Sequence, residues 1–128
     1  MPWEVVRRRM LQRLHERGFA DLDAAHLTVF QYPGPQGARP SELAARLRIS
    51  KQALNYLLGQ LERLGYVERR ADPDDLRSKR VVITNRGRSA IDVIREAVAE
   101  VEADWAQELG PRRFAQLRST LLELNRQI

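Results

Sequence analysis

Residues 41–84 read SELAARLRISKQALNYLLGQLERLGYVERRADPDDLRSKRVVIT, and this stretch decides the fold. Leu43, Ala44 and Leu47 recur at helical spacing and predict a short helix from Ser41 to Leu47. Ser41 is placed to cap it, with Glu42 in a first turn whose dipole favours an acid. A three-residue break, Arg48-Ile49-Ser50, follows. Leu54, Leu57, Leu58, Leu61 and Leu64 then form one apolar stripe, which predicts a second helix from Lys51 to Leu64 with Ser50 as its cap and Gly65 as its stop. Tyr66–Arg70 and Arg80–Thr84 carry the aromatic and β-branched residues of strands, joined by the turn chemistry of Asp72-Pro73-Asp74-Asp75. The expected unit is a helix-turn-helix followed by a β-hairpin, or wing.

The leucine stripe leaves Lys51, Gln52, Asn55 and Tyr56 on the outer face of the second helix, near its N-terminus. Gln and Asn can pair with adenine edges, Lys can reach guanine or phosphate, and Tyr can bond phosphate or pack on a thymine methyl. A helix start also favours a phosphate, which brings Ser50 and Lys51 into the candidate site. Around the hairpin, Arg69, Arg70, Arg77, Ser78, Lys79 and Arg80 supply charge and a hydroxyl suited to backbone or minor-groove contact. Asp75, two residues before Arg77, is placed to pin a nearby arginine and support the wing. A solvated polar helix face and a solvated loop are the plain alternatives, and the succession of turn, helix and wing argues against them. Gly59 inside the second helix costs about 1 kcal/mol relative to Ala, which suggests close approach of another element.

On either side of this unit the chain is helical. Trp3, Val6, Met10 and Leu14 form a stripe over residues 3–17, closed by Gly18. Asp21 or Asp23 can cap a helix running to about Tyr32, and Pro33-Gly34-Pro35-Gln36-Gly37 ends it. A short strand at Ala38-Arg39 is limited by Pro40. Thr84 or Asn85 caps a long helix reaching about Leu109, whose Ile91, Ile94, Val98, Val101 and Trp105 alternate three and four apart as a heptad seam. After Gly110-Pro111, a last helix carries Phe114, Leu117, Leu121, Leu124 and Ile128. These stripes pack within one chain or join two copies. The long helix favours a dimerisation lobe built from Trp3, Val6, Met10, Val98, Val101, Trp105, Phe114, Leu117, Leu121 and Leu124.

Residues 1–88 hold 17 Lys/Arg against 10 Asp/Glu, whereas residues 89–128 hold 5 against 7. A basic front and a mildly acidic back suit a polyanion-facing part and a part with another task; an Arg-rich composition, with only two of 22 basic residues being Lys, is the bland alternative. With no cysteine, thiol switches, disulfides and thiolate zinc sites are excluded. Asp21, Asp23 and His26 are too few for a metal site. No membrane span and no signal peptide are expected, so a soluble cytoplasmic protein is the reading. No phosphate-binding glycine loop, nucleophile elbow or zinc-protease motif occurs, and no cofactor or enzymatic activity is expected.

Ser41-Glu42-Leu43-Ala44, Leu61-Glu62-Arg63-Leu64-Gly65-Tyr66-Val67-Glu68-Arg69 and Asp72-Pro73-Asp74-Asp75-Leu76-Arg77-Ser78-Lys79, followed by Ile83-Thr84 and Gly87, carry a resemblance to the MarR family of bacterial transcription regulators. Asp75-x-Arg77 in the wing is its most specific short signal. The resemblance covers nearly the whole chain. It implies a mainly α fold with a small β-hairpin (α+β), a winged helix-turn-helix with N- and C-terminal dimerisation helices. It implies a single domain, 1–128, with a DNA-binding lobe at 21–88 and a dimerisation lobe at 1–20 and 89–128. The matching proteins are homodimers on pseudopalindromic double-stranded DNA, and many are repressors released by a small aromatic or anionic effector. His26 and Tyr32, with Trp3 and Trp105, could line such a pocket or serve as core. The sequence departs from the pattern at Leu76, where a basic residue is more usual, at Gly59, in the 33–37 loop and in a short N-terminal helix. The expected function is sequence-specific DNA binding by a homodimeric repressor, with Gln52, Asn55 and Tyr56 reading bases. A winged helix used only for protein–protein interaction is the alternative.

Overall fold

A computed structural model describes residues 2–30, 37–75 and 77–126, with backbone alone for Pro2, Trp3, Phe30, Asn125 and Arg126. Tyr32, Pro33-Gly34-Pro35-Gln36, Leu76, Ile128 and the Trp3 side chain therefore lie outside the described residues. Helix α1 (Pro2–Glu16) packs along α5 (Asn85–Leu109). Arg9 reaches Glu100 and Asp104 at 3.2 and 3.1 Å, Arg13 reaches Glu100 at 2.9 Å, and Arg17 reaches Glu96 at 3.3 Å. The acceptors step backwards along α5 as the donors advance along α1, so the two helices run antiparallel. Exposed pairs of this kind set register more than they stabilise. Met10 and Leu14 are buried beneath them.

The inner line of α5 is Gly87, Ala90, Val93, Ala97 and Val101. Of the expected heptad seam only Val101 belongs to it; Ile91, Ile94 and Val98 flank the core and Trp105 is partly buried. Small residues on the inner line let the helices approach closely, which a pattern weighted by large apolar residues does not detect. Met10 and Val101, expected at a dimer contact, are 2% and 1% exposed within one chain and leave almost no surface for a second copy.

Helix α2 (Ala24–Phe30) is started by Asp23, whose Oδ1 accepts the Ala25 and His26 amides. Helix α3 (Pro40–Leu47) begins one residue earlier than expected. Ser41 is not its cap: Arg39 occupies that position in an extended conformation, and Pro40 at the helix start has no amide to satisfy. Leu43 and Ala44 are buried and Ala45 is exposed. Arg48 turns the chain in the left-handed region (φ 56°). Helix α4 (Lys51–Arg63) follows, its Ser50 Oγ accepting the Ala53 amide at 3.0 Å. Leu54, Leu58 and Leu61 are fully buried, with Leu57 and Leu64 packed beside them. Gly65, at φ +88°, ends the helix, and the Tyr66 amide returns to the Leu61 carbonyl.

Strands β1 (Val67–Ala71) and β2 (Lys79–Ile83) form an antiparallel hairpin pairing Val67 with Ile83 and Ala71 with Lys79. Ala38 adds a bridge to Val81, and a side chain at Gly37 would meet the Val81 carbonyl at 2.6 Å. Thr84, not Asn85, caps α5: its Oγ1 accepts the Gly87 amide and donates to the Gly65 carbonyl. Gly87 lies against the Tyr66 carbonyl, where a Cβ would come within 2.2 Å. Helix α6 (Pro111–Arg126) packs on α5 and leaves Leu117, Leu121, Leu122 and Leu124 exposed.

Candidate nucleic-acid interface

Lys51, Gln52, Asn55 and Tyr56 all stand exposed in the first two turns of α4, whose leucines are buried. The helical repeat accounts for three of them: with Leu54, Leu58 and Leu61 inward, positions 52, 55 and 56 turn outward, while Lys51, three residues before Leu54, is exposed at the first position of the helix. Tyr56 is 65% exposed, a large aromatic surface held in solvent. The Ser50 hydroxyl is engaged as the α4 cap.

The wing turn is built by aspartates. Asp75 accepts the Arg77 backbone amide at 3.0 Å and the Ser78 hydroxyl at 3.2 Å. It thus shapes the turn, where pinning of an arginine guanidinium was expected, and this leaves the exposed Arg77 side chain available. Asp72, wholly buried, is the larger joint. It accepts the Asp74 amide at 2.9 Å and the Arg39 Nε at 2.7 Å, and lies 3.4 Å from the Arg80 Nε. The Asp74 amide above all, then Arg39 and Arg80, hold its carboxyl below the usual carboxylate range against the opposing effect of burial. In the sequence Asp72 opens a turn and Arg39 ends a short strand, and no local pattern marks that they meet across 33 positions.

The basic residues divide into engaged and free. Arg80 faces Asp72, Arg69 lies 3.9 Å from Glu62, and Arg70 pairs with Glu68 across its own strand. Lys79 lies in β2 and not in the turn. Among the described residues no ion pair engages Lys51, Arg77 or Lys79, and all three are exposed.

Behind the interface, two polar joints tie the elements together. His26, expected as a possible pocket residue, is 3% exposed and satisfied on both ring nitrogens, by the Asp23 amide at 3.1 Å and Gln60 Oε1 at 3.0 Å. Tyr66 donates its hydroxyl proton to Asp21, which also accepts Arg86 at 3.1 Å. Asp21 is thereby a link to α5 and does not cap α2. The Arg86 guanidinium lies 4.7 Å from the Tyr66 ring centre and 5.7 Å from that of Phe19. Burial, then Asp21, push the Tyr66 hydroxyl up to about 12, with Arg86 opposing. Groups of three or more possible metal ligands do not occur among the described residues. No helix there is long and apolar enough to cross a membrane.

Two short helices at a left-handed turn, the second polar outward, and a basic hairpin behind them define a winged helix-turn-helix protein. The family model described as MarR family matches residues 20–78. The transcriptional activatory protein BadR of Rhodopseudomonas palustris is 30% identical over 117 residues, covering 84% of this chain. The chain spans 66% of that relative's length, just short of two thirds. The apo form of wild-type MarR from E. coli superposes with a TM-score of 0.76 at 24% identity, over 97% of this chain and 91% of its own. A mutant of S. aureus MepR, bound to an oligodeoxyribonucleotide, gives 0.67 at 19% identity over 95% and 88%. At these identities the solved structures attest the fold. Residues 20–78 thus match the MarR family, and the relatives that the chain resembles are described as transcriptional regulators.

Proposed function

We propose that the protein is a homodimeric, sequence-specific double-stranded-DNA-binding transcriptional regulator. The observation that carries this reading is the exposed Lys51, Gln52, Asn55 and Tyr56 face of α4 beside a wing whose Arg77 and Lys79 are free of ion pairs. Gln52, Asn55 and Tyr56 read base edges; Ser50, Lys51, Arg77, Ser78 and Lys79 meet phosphate or the minor groove, with Arg69, Arg70 and Arg80 as supporting charges. Residues 21–88 form the DNA-binding lobe. Residues 1–20 and 89–128 form the dimerisation lobe, with Val6, Val98, Trp105, Phe114 and the exposed leucines 117, 121 and 124 of α6 as its contact surface. The solved MepR mutant complex supports DNA as the ligand class.

Lys51, Arg77 and Lys79, the cations of the candidate site that are free of ion pairs, make about six phosphate contacts per dimer. At a slope near 0.9 per contact, affinity falls roughly a thousandfold between 50 and 200 mM salt. Selection of bound fragments from the parent chromosome, followed by titration at both salts, tests this. The expected result is a paired site with half-sites roughly one helical turn apart. Protein that is monomeric in sedimentation, or that shifts no DNA at 50 mM salt, overturns the reading. A salt-insensitive complex with another protein would establish the interaction-module alternative in its place.

In the same reading the dimer represses by occupying a site that overlaps a promoter, and a small aromatic or anionic effector releases it. His26 is committed to hydrogen bonds and Tyr32 lies outside the described residues, so the effector rests on the resemblance to the MarR family alone. A melting-temperature screen with aromatic carboxylates and a promoter reporter test effector and sign.

A further inference from the structure

One chain of hydrogen bonds ends at the DNA-facing surface, and its direction can be worked out from its buried end. The Asp23 backbone amide donates to His26 Nδ1 at 3.1 Å. An amide can only donate, so Nδ1 must accept and the ring proton sits on Nε2. Nε2 lies 3.0 Å from Gln60 Oε1 and donates to it. That contact sets the orientation of the Gln60 amide, because a flipped amide would bring two donors face to face. Gln60 Nε2 is then turned to the Tyr56 hydroxyl, 3.2 Å away, and donates to its oxygen. The hydroxyl has accepted, and its own proton is directed away from Gln60. Among the described residues no acceptor meets that proton.

Resting on the regulator reading above, we propose that His26 and Gln60 are positioning residues that present Tyr56 as a hydrogen-bond donor to an acceptor atom on DNA. The matching chemistry is a base acceptor (guanine O6 or N7, adenine N7, thymine O4) or a phosphate oxygen. Gln60 also shortens the search of the exposed ring, holding the hydroxyl over one turn of α4. Tyr56 is therefore more than a stacking surface, and its specificity is assigned from α2 behind it.

The test is a double-mutant cycle on DNA selected by the wild-type protein, using Tyr56→Phe, Gln60→Met and the double variant, with melting temperatures recorded for each. Tyr56→Phe is expected to weaken binding about 3- to 10-fold per protomer, the worth of one hydrogen bond. Gln60→Met is expected to weaken it by a similar or smaller factor in the wild type and by nothing further in the Tyr56→Phe background. If Gln60→Met does not fold, Gln60→Glu serves the same cycle, since it keeps an acceptor for His26 and draws the Tyr56 proton inward. A repeat selection with Tyr56→Phe distinguishes the acceptors: preference lost at one position identifies a base, and uniform weakening identifies phosphate. Losses that add in full, with Gln60 as costly beside Phe as beside Tyr, overturn the positioning role while leaving the regulator reading intact. Wild-type protein that selects no DNA overturns both.

Discussion

Gly59→Ala is expected to stabilise the protein. A glycine inside a helix suggested that another element passes close by. The structure places no heavy atom within 4 Å of a Cβ built at this position, so the side chain has room. The residue lies inside α4, between Lys51 and Arg63, where Ala exceeds Gly by about 0.8–1 kcal/mol in helix propensity. Nothing in the fold opposes that gain. With an unfolding entropy near 2.1 cal/mol/K per residue, the 128-residue chain has about 0.27 kcal/mol/K at its midpoint. The melting temperature should therefore rise by about 3–4 °C. Urea titration at several protein concentrations measures the gain free of association effects, with the denaturant slope unchanged. A midpoint that stays or falls refutes the reasoning and restores close approach as the role of Gly59. The same variant reports on the interface, because Gly59 follows Asn55 and Tyr56 by one turn. Stabilised free protein that binds DNA more weakly would place the nucleic acid against this position.

Three other perturbations follow from the joints. Gly87→Ala puts a Cβ 2.2 Å from the Tyr66 carbonyl, a backbone atom, and should destabilise by roughly 3 kcal/mol or more, read as a lowered urea midpoint; near-wild-type stability would contradict the packing of α5 on the wing. Tyr66 titrates at about 12 in the fold against an ordinary 10, so the neutral form is the one the fold favours; its contribution is complete below pH 10 and is lost as the pH rises towards 12. Urea midpoints from pH 9 to 12 should fall in the wild type and less steeply in Tyr66→Phe. Glu100 is held below its ordinary 4.5 chiefly by Arg13 and then Arg9, so its contribution is present above 4.5 and fades as the pH falls below it. Glu100→Gln should flatten that acid limb, and high salt should do the same.

The sequence pattern sufficed where structure is local. Ser50, five leucines at helical spacing and Gly65 mark α4 within two turns of each deciding residue, and its outward face follows from the same spacing. The hairpin was legible from its strands and aspartates, with ends displaced by a residue. What escaped was partner choice over distance. Ala90 and Ala97 form the inner line of α5 because α1 lies close, and no periodicity of large side chains reveals a neighbour 80 residues away. His26 meets Gln60 across 34 positions and Asp72 meets Arg39 across 33, so neither bond leaves a local mark. Pro40 displaced the cap from Ser41 because a helix whose first residue lacks an amide needs one acceptor fewer.

Charge shows how far a linear reading misplaces the field that a polyanion meets. Along the chain, the first 88 residues carry +7 and the remainder −2. In the fold, α1 returns to α5, and Arg9, Arg13 and Arg17 are neutralised by Glu96, Glu100 and Asp104. Counted by lobe, residues 21–88 hold 12 Lys/Arg against 8 Asp/Glu, or +4, and the two terminal segments together hold 10 against 9, or +1. Within the first lobe, Asp72 engages Arg39 and Arg80, and Asp21 engages Arg86. Among the described residues of that segment, Arg46, Arg48, Lys51, Arg63, Arg77, Lys79 and Arg88 are exposed and in no ion pair. Of these, Lys51 shares the first two turns of α4 with Gln52, Asn55 and Tyr56, and Arg77 and Lys79 belong to the wing. In the proposed reading, cations on helix and wing answer the phosphates of a duplex and the hydrogen-bonding groups of α4 answer its base edges.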